Sequence, residues 1–154
     1  MVEEGKLEEI FNEMEYKNIS IAEEVTILNY GVYKGYEYHI LNLGTHPCSY
    51  ITLTKDDKLF GKTLDELDET DVYCHGGFTY ADNTLSSRTY SYVNKYEDKW
   101  IIGYDYGHYK DWTGYMSDEH NIMLGNKKWT TNELREEVRE VIEQLIEYNR
   151  RDDL

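Results

Sequence analysis

The sequence predicts an α+β fold, in which a twisted antiparallel sheet of about five to six strands packs against a C-terminal amphipathic helix. Helical periodicity occurs near both ends, β-branched and aromatic residues dominate the centre, and no repeat or linker divides the 154 residues. This length is typical of one domain. We assign 1–20 to an acidic N-terminal helix, 24–128 to the sheet and loops, and 130–150 to the C-terminal helix.

The N-terminal segment predicts a short helix with one apolar face, formed by Leu7, Ile10, Phe11 and Met14. Its other face is rich in glutamate. The first 24 residues contain eight Glu and two Lys, a net charge of −6.

The central segment predicts strands at 25–30, 36–41, 49–54, 90–93 and 100–104. A further strand over 72–80 is expected to bend at Gly76 and Gly77. Thr63 is expected to cap one helical turn, with Glu66 as its capping-box partner. Residues 105–128, punctuated by Gly107, Gly114 and Gly125, predict a loop.

The C-terminal segment predicts an amphipathic helix of about five turns. Thr130 is the expected N-cap and Glu133 its capping-box partner. The apolar stripe consists of Leu134, Val138, Val141, Leu145 and Tyr148, and Ile142 and Ile146 widen it. This stripe either covers the protein's own sheet, which we favour, or pairs two copies of the chain as a homo-oligomer.

The net charge argues against a nucleic-acid polymer and against an anionic membrane as partners. Sixteen Lys and Arg oppose thirty-one Asp and Glu, which gives −15, whereas both kinds of partner attract basic surfaces. No apolar run approaches the length of a membrane span, and the acidic start does not resemble a signal peptide. We therefore expect a cytoplasmic protein with reduced thiols, although a Cys48–Cys74 bridge stays open.

Three blocks concentrate residues that can carry chemistry: 44–50, 73–80 and 100–112. In the second, His75 precedes two glycines, which form either an anion-binding turn or a tight bulge. In the third, Asp105, His108 and Asp111 are spaced three apart. They either bind a divalent metal together with His75, or serve as carboxylates that orient a histidine, which we favour.

Other catalytic interpretations are weaker. Cys48 and Cys74 each lie near a histidine in sequence, but we interpret them as structural thiols. The sequence contains no P-loop, dinucleotide-binding, zincin or nucleophile-elbow motif.

The aromatic residues favour a pocket for a purine or nicotinamide ring, with a few polar groups, and with backbone N–H groups and one or two cations for the phosphates. The stacking candidates are Tyr104, Tyr106 and Trp112, within a cluster that includes Tyr90, Tyr92, Tyr96, Tyr109 and Tyr115. Cations for the phosphates are Lys55, Lys58, Lys62, Arg88 and Lys110. The full predicted ligand-binding set is His46, Tyr50, Lys55, His75, Gly76, Gly77, Thr79, Tyr80, Trp100, Tyr104, Asp105, Tyr106, His108, Asp111 and Trp112.

These blocks together resemble a family of small, mostly uncharacterised proteins of tailed phages and prophages, over residues 30 to 148. The resemblance is carried by His46, Cys48 and Tyr50; Lys55, Phe60, Gly61 and Lys62; His75 to Tyr80; and Trp100, Gly103, Tyr104, Asp105, His108 and Asp111. The acidic N-terminal helix departs from it, as does Tyr106-Gly107, where other members tend to have Cys-Ala. The resemblance implies action in a bacterial host, where such proteins often counter defence systems.

Three functions are therefore open. The first is a non-enzymatic counter-defence protein that sequesters a small nucleotide-derived immune signal and needs no cofactor. The second is a metal-dependent hydrolase or phosphodiesterase that uses His75, Asp105, His108 and Asp111. The third is an acidic inhibitor that imitates DNA and binds a host defence protein.

Overall fold

The computed structural model describes residues 26–83 and 98–152 of the chain. The predicted N-terminal helix, the predicted strand at 90–93, Arg88 and three of the clustered tyrosines lie outside these residues. The strands are β1 Thr26–Tyr33, β2 Tyr36–Asn42, β3 Pro47–Thr54, β4 Tyr80–Asp82 and β5 Lys99–Asp105. The helices are α1 Leu64–Asp68, α2 Asp118–Met123 and α3 Thr131–Arg150.

The five strands form one antiparallel sheet in the order β1-β2-β3-β5-β4. The hairpin between β1 and β2 closes through Lys34 and Gly35, with φ values of 46° and 87°. Positive φ at both positions is the geometry of a two-residue turn that matches the right-handed twist of strands. Together with the C-terminal helix, the sheet confirms the predicted α+β fold.

Helix α3 covers one face of the sheet with its predicted apolar stripe. Leu134, Val138, Val141 and Leu145 are buried in one cluster with residues of β2, β3 and β5. The predicted capping box is present, because Thr130 accepts from the backbone of Glu133 and the Glu133 carboxylate accepts in return. The Thr63–Glu66 box likewise begins α1.

Strand β5 separates two apolar clusters because successive side chains of a strand point to opposite faces. Ile102 and Tyr104 face α3, whereas Ile101 joins Leu41 and Tyr50 in a second cluster. Cys48 belongs to this second cluster and Cys74 packs against the first, so the two thiols lie on different sides of the sheet. Both are free, and the Cys48–Cys74 bridge is not formed.

The predicted strand over 72–80 is wrong except at its last residue. Residues 72–79 form a loop, and only Tyr80–Asp82 pairs with β5. Gly76 and Gly77 both have positive φ, at 71° and 84°. The backbone N–H groups of Tyr73 and His75 donate to side chains of α3 rather than to a strand.

The predicted loop at 105–128 contains the short helix α2, which the sequence analysis missed. Ser117 caps it, and the buried Asn121 side chain ties it to the Thr113 backbone in both directions. Apolar periodicity could not reveal this helix, because Ile122 and Met123 are exposed. Within 26–83 and 98–152, no helix combines the length and apolar character of a membrane span.

Candidate functional site

The candidate site lies where the end of β5, the start of β3 and the glycine turn after Cys74 meet. Strand ends held by a sheet are favourable places for a site, because the scaffold fixes loops that remain accessible. We call this region the histidine corner and define it by His46, His75, Asp105, His108, Asp111 and Trp129.

Asp111 is the centre of the corner, and its side chain is only 3% exposed. Its carboxylate lies 2.7 and 3.0 Å from Nε2 of His75. It also accepts from Nε1 of Trp129 at 2.9 Å and from the backbone N–H of His108 at 3.0 Å. A buried carboxylate needs several donors to offset its lost hydration, and here three residues supply them.

The ring of His75 packs against two aromatic side chains. It stacks on Tyr106, with centroids 4.3 Å apart, and meets the edge of Trp129 at 5.1 Å. Its backbone N–H donates to Glu137 of α3 at 2.5 Å. Packing from sheet, loop and helix therefore fixes this imidazole against the Asp111 carboxylate.

Asp105 organises the second half of the corner. Its Oδ1 accepts from the backbone N–H of Gly107 at 3.0 Å, and its Oδ2 accepts from the Thr79 hydroxyl at 3.1 Å. Nε2 of His108 lies 3.2 Å from Oδ1, without the alignment of a hydrogen bond. His75 therefore faces the carboxylate of Asp111, and His108 faces the carboxylate of Asp105.

Two glycines let the backbone approach these rings. A methyl group at Gly76 would lie 2.2 Å from Nε2 of His108, so only glycine leaves room for that imidazole. A methyl group at Gly107 would lie 3.2 Å from the ring of His46. The ring of His46, the residue before β3, therefore lies against Gly107, close to the Asp105 carboxylate.

Three imidazole nitrogens of the corner remain open. His75 and His108 use their Nε2 sides toward carboxylates, and Nδ1 of His46 pairs with the Thr45 hydroxyl at 2.8 Å. Nδ1 of His75, Nδ1 of His108 and Nε2 of His46 have no hydrogen-bond partner among the described residues, and none of the three is buried. These nitrogens are the polar groups that a ligand can reach.

The predicted metal set is brought together only in pairs. His75 faces Asp111 and His108 faces Asp105, while every carboxylate oxygen of the two pairs already accepts a hydrogen bond. The described residues contain no group of three His, Cys, Asp or Glu side chains arranged to hold a metal ion. The present donor set fits carboxylates that orient histidines better than it fits metal ligation.

The two cysteines do not offer a reactive thiolate. Burial raises the pKa of the Cys48 thiol to about 12, and burial also raises the pKa of Cys74 to about 12. Both therefore stay protonated near neutral pH, whereas the thiolate is the nucleophilic form.

Several predicted ligand residues lie away from the corner or inside the core. Tyr104 and Tyr106 are fully buried, so neither presents a free face for stacking a ligand. Tyr50 and Tyr80 contact each other at 5.3 Å on the sheet face opposite α3. The remaining three are Trp100, whose Nε1 donates to Lys62; Lys55, exposed in the turn after β3; and Trp112, beside Lys128.

The structure brings together the predicted residues His46, His75, Gly76, Gly77, Thr79, Asp105, His108 and Asp111. It adds three residues that were not predicted from the sequence. Trp129 donates to Asp111, Glu137 holds the His75 backbone, and Nζ of Lys127 lies 3.9 Å above the Trp129 ring. A sequence signal for Trp129 exists: it precedes the N-cap of α3, where an apolar residue commonly packs on the fourth helical residue, here Leu134.

Comparison with known proteins gives no match: no protein-family model, curated protein or solved structure is similar to this chain. The geometry of the corner is therefore the basis for assigning a function.

Proposed function

We propose that the histidine corner binds a small, phosphate-bearing, nucleotide-like ligand. The observation that carries this proposal is the set of three open imidazole nitrogens beside two carboxylates that are already hydrogen-bonded. Imidazoles donate to phosphate oxygens when protonated, whereas an open carboxylate would repel them. The paired carboxylates Asp105 and Asp111 hold the rings in place.

Lysines and half-buried tryptophans around the corner support the same ligand class. Lys127 lies over Trp129 and pairs with Glu133 at 2.6 Å. Nζ of Lys128 lies 5.4 Å from the centroid of Trp112. The two segments that carry these residues run side by side, joined by the bridge between Asp111 and Lys127. A nucleotide needs cations for its phosphates and flat surfaces for its base, and these two adjacent segments supply lysines and tryptophans.

In a phage-infected bacterium, such binding would remove a nucleotide-derived immune signal, which is the counter-defence role that we propose for this chain. The acidic helix face is compatible with this role. Most acids of α3 lie away from the corner, and Glu137, Asp105 and Asp111 at the corner all accept hydrogen bonds.

Calorimetry against a panel of cyclic dinucleotides and ADP-ribose derivatives tests the proposal. We expect at least one compound to bind in a 1:1 complex. His75→Asn should weaken the affinity for that compound roughly tenfold, which corresponds to about 1.4 kcal/mol of binding free energy. His120→Asn is the matched control, because His120 is exposed on α2 and lies outside the corner. Absence of binding across the whole panel would refute the proposal.

Metal analysis of the purified protein distinguishes the hydrolase alternative. Ligand binding that persists after chelator treatment supports capture by the histidines. A stoichiometric divalent ion, whose removal abolishes turnover of a panel compound, would instead establish the metal-dependent reaction.

A further inference from the structure

We propose that the corner also cleaves ribonucleotide phosphodiesters by internal transphosphorylation, with His75 as the base and His108 as the acid. The inference rests on the proposed function, because it assigns a reaction to the same ligand at the same site. Under this inference, the bound ligand is cleaved rather than held intact.

His75 has the geometry of a fixed general base. A carboxylate only accepts hydrogen bonds, so the Asp111 contact places the ring proton on Nε2 and leaves the lone pair on Nδ1. Nδ1 is the open nitrogen, and the hydrogen bond of Nε2 to Asp111, together with stacking on Tyr106, holds the ring in this orientation. Asp111 is a positioning residue, since it acts on the substrate only through His75.

His108 supplies the second proton-transfer group. Its ring centroid lies 5.9 Å from that of His75, and the planes are inclined at 57°. Its Nε2 faces Asp105, so the open Nδ1 is the nitrogen that can donate a proton to a leaving group. Acid and base catalysis requires each nitrogen within about 2.6–3.2 Å of its oxygen, so the proposal places the phosphodiester between these two neighbouring rings.

The nucleophile has to come from the substrate. The thiol of Cys74 is protonated and the Thr79 hydroxyl donates to Asp105 rather than to a histidine, while the Tyr106 hydroxyl is buried. No other Ser, Thr or Cys hydroxyl or thiol hydrogen-bonds to His75 or His108 within the described residues. A ribose 2′-hydroxyl next to the phosphodiester meets this requirement without any group from the protein.

The reaction balances with the two histidines alone. Nδ1 of His75 takes the 2′-hydroxyl proton while the bond from O2′ to phosphorus forms. The bond from phosphorus to O5′ breaks, and His108 gives its proton to O5′. The products are a 2′,3′-cyclic phosphate and a free 5′-hydroxyl, and proton exchange with water restores both histidines.

The test uses the ribodinucleotide ApA, cyclic di-AMP and their 2′-deoxy analogues, incubated with the full chain in EDTA. We expect a 2′,3′-cyclic phosphate signal in ³¹P NMR from a ribose compound and none from its deoxy analogue. His75→Asn and His108→Asn should each slow the reaction by about 100-fold or more, and His120→Asn should not. Asp111→Asn should lower kcat while KM stays unchanged.

Binding of these compounds with intact recovery would overturn the reaction and leave the proposed function standing, whereas no binding at all would overturn both. Cleavage of a deoxy analogue, or cleavage that EDTA prevents, would also overturn the mechanism. If circular dichroism shows that His75→Asn does not fold, the comparison of ribose and deoxy compounds on the natural protein shows whether cleavage requires the 2′-hydroxyl.

Discussion

At the scale of single residues, Asp111 determines the geometry of the corner. Its carboxylate joins a loop histidine, a tryptophan that precedes α3 and the backbone after β5. Hydrogen bonds to a buried charge stabilise more than neutral ones, and an unpaired buried partner is costly. The stability of the corner and the orientation of the His75 ring therefore both depend on this side chain.

Asp111→Asn should lower the free energy of unfolding by about 2–3 kcal/mol, because three donors lose their charged acceptor. Trp129→Phe removes one of these donors and keeps the apolar packing, so it should cost about 1 kcal/mol. Urea denaturation measures both. Equal losses, or a larger loss in Trp129→Phe, would contradict the central position of the carboxylate.

Gly76→Ala should weaken both stability and ligand binding. Gly77→Ala is the matched control: both residues have positive φ, but only the methyl group at Gly76 would collide with His108. Backbone strain should cost about 1–2 kcal/mol in each variant. Only Gly76→Ala should reduce affinity for a bound panel compound in calorimetry, and equal affinities would show that the His108 position is unimportant.

At the scale of elements, α3 contributes to the core and to the site at once. Its apolar stripe covers the sheet, while Gln144 and Glu137 hold the backbone of Tyr73 and His75 from its surface. The side-chain amide of Gln144 also donates to the Tyr73 carbonyl. Side chains of α3 therefore satisfy the backbone hydrogen bonds of this loop, which in a strand a neighbouring strand would satisfy.

Thr130→Ala should lower the free energy of unfolding by about 1 kcal/mol, because the first turn of α3 loses its N-cap. Thr131→Ala is the matched control, since Thr131 makes no side-chain hydrogen bond within the described residues. Thermal and urea unfolding of the two variants give the comparison. A loss in Thr131→Ala as large as that in Thr130→Ala would show that capping is not the cause.

The sequence predicted the elements that local rules determine. Four strands and the two capping boxes follow from alternation and from Thr-x-x-Glu spacing, and the structure confirms them within a few residues. The loop at 72–79 was mispredicted because its backbone partners, Glu137 and Gln144, are distant in sequence. Trp129 was missed for the same reason, since its contact with Asp111 depends on tertiary packing.

At the scale of the whole molecule, stability should depend on pH through a buried histidine. Burial lowers the pKa of His39 to about 3, with the positive charge of Lys99 as a smaller cause. The unfolded chain binds this proton near pH 6.5 and the folded chain does not. Stability is therefore complete above pH 6.5 and falls as the pH decreases toward 3.

His39→Phe should remove this part of the pH dependence. Between about pH 5.5 and 4, the natural protein should lose about 1.4 kcal/mol per pH unit more than the variant, because the unfolded histidine is then protonated and the folded one is not. His120→Ala, at an exposed histidine, should follow the natural protein. Urea denaturation at several pH values provides the test, and a constant difference between His39→Phe and the natural protein would contradict it.

The net charge of −15 and the proposed ligand class are reconciled by the distribution of charge. Acids lie along α3, while the corner presents open imidazoles with Lys127 and Lys128 beside them. Because exposed charges farther apart than about 8–10 Å are largely screened at physiological salt, the local groups dominate the interaction with a small anion.

The most direct test follows the five histidine side chains by ¹H–¹⁵N NMR during titration with the panel compounds. One compound should shift the ring nitrogens of His46, His75 and His108, and should leave those of His39 and His120 unchanged. A binding compound that shifts His120, or none of the three corner rings, would contradict the assignment of the ligand site to this corner.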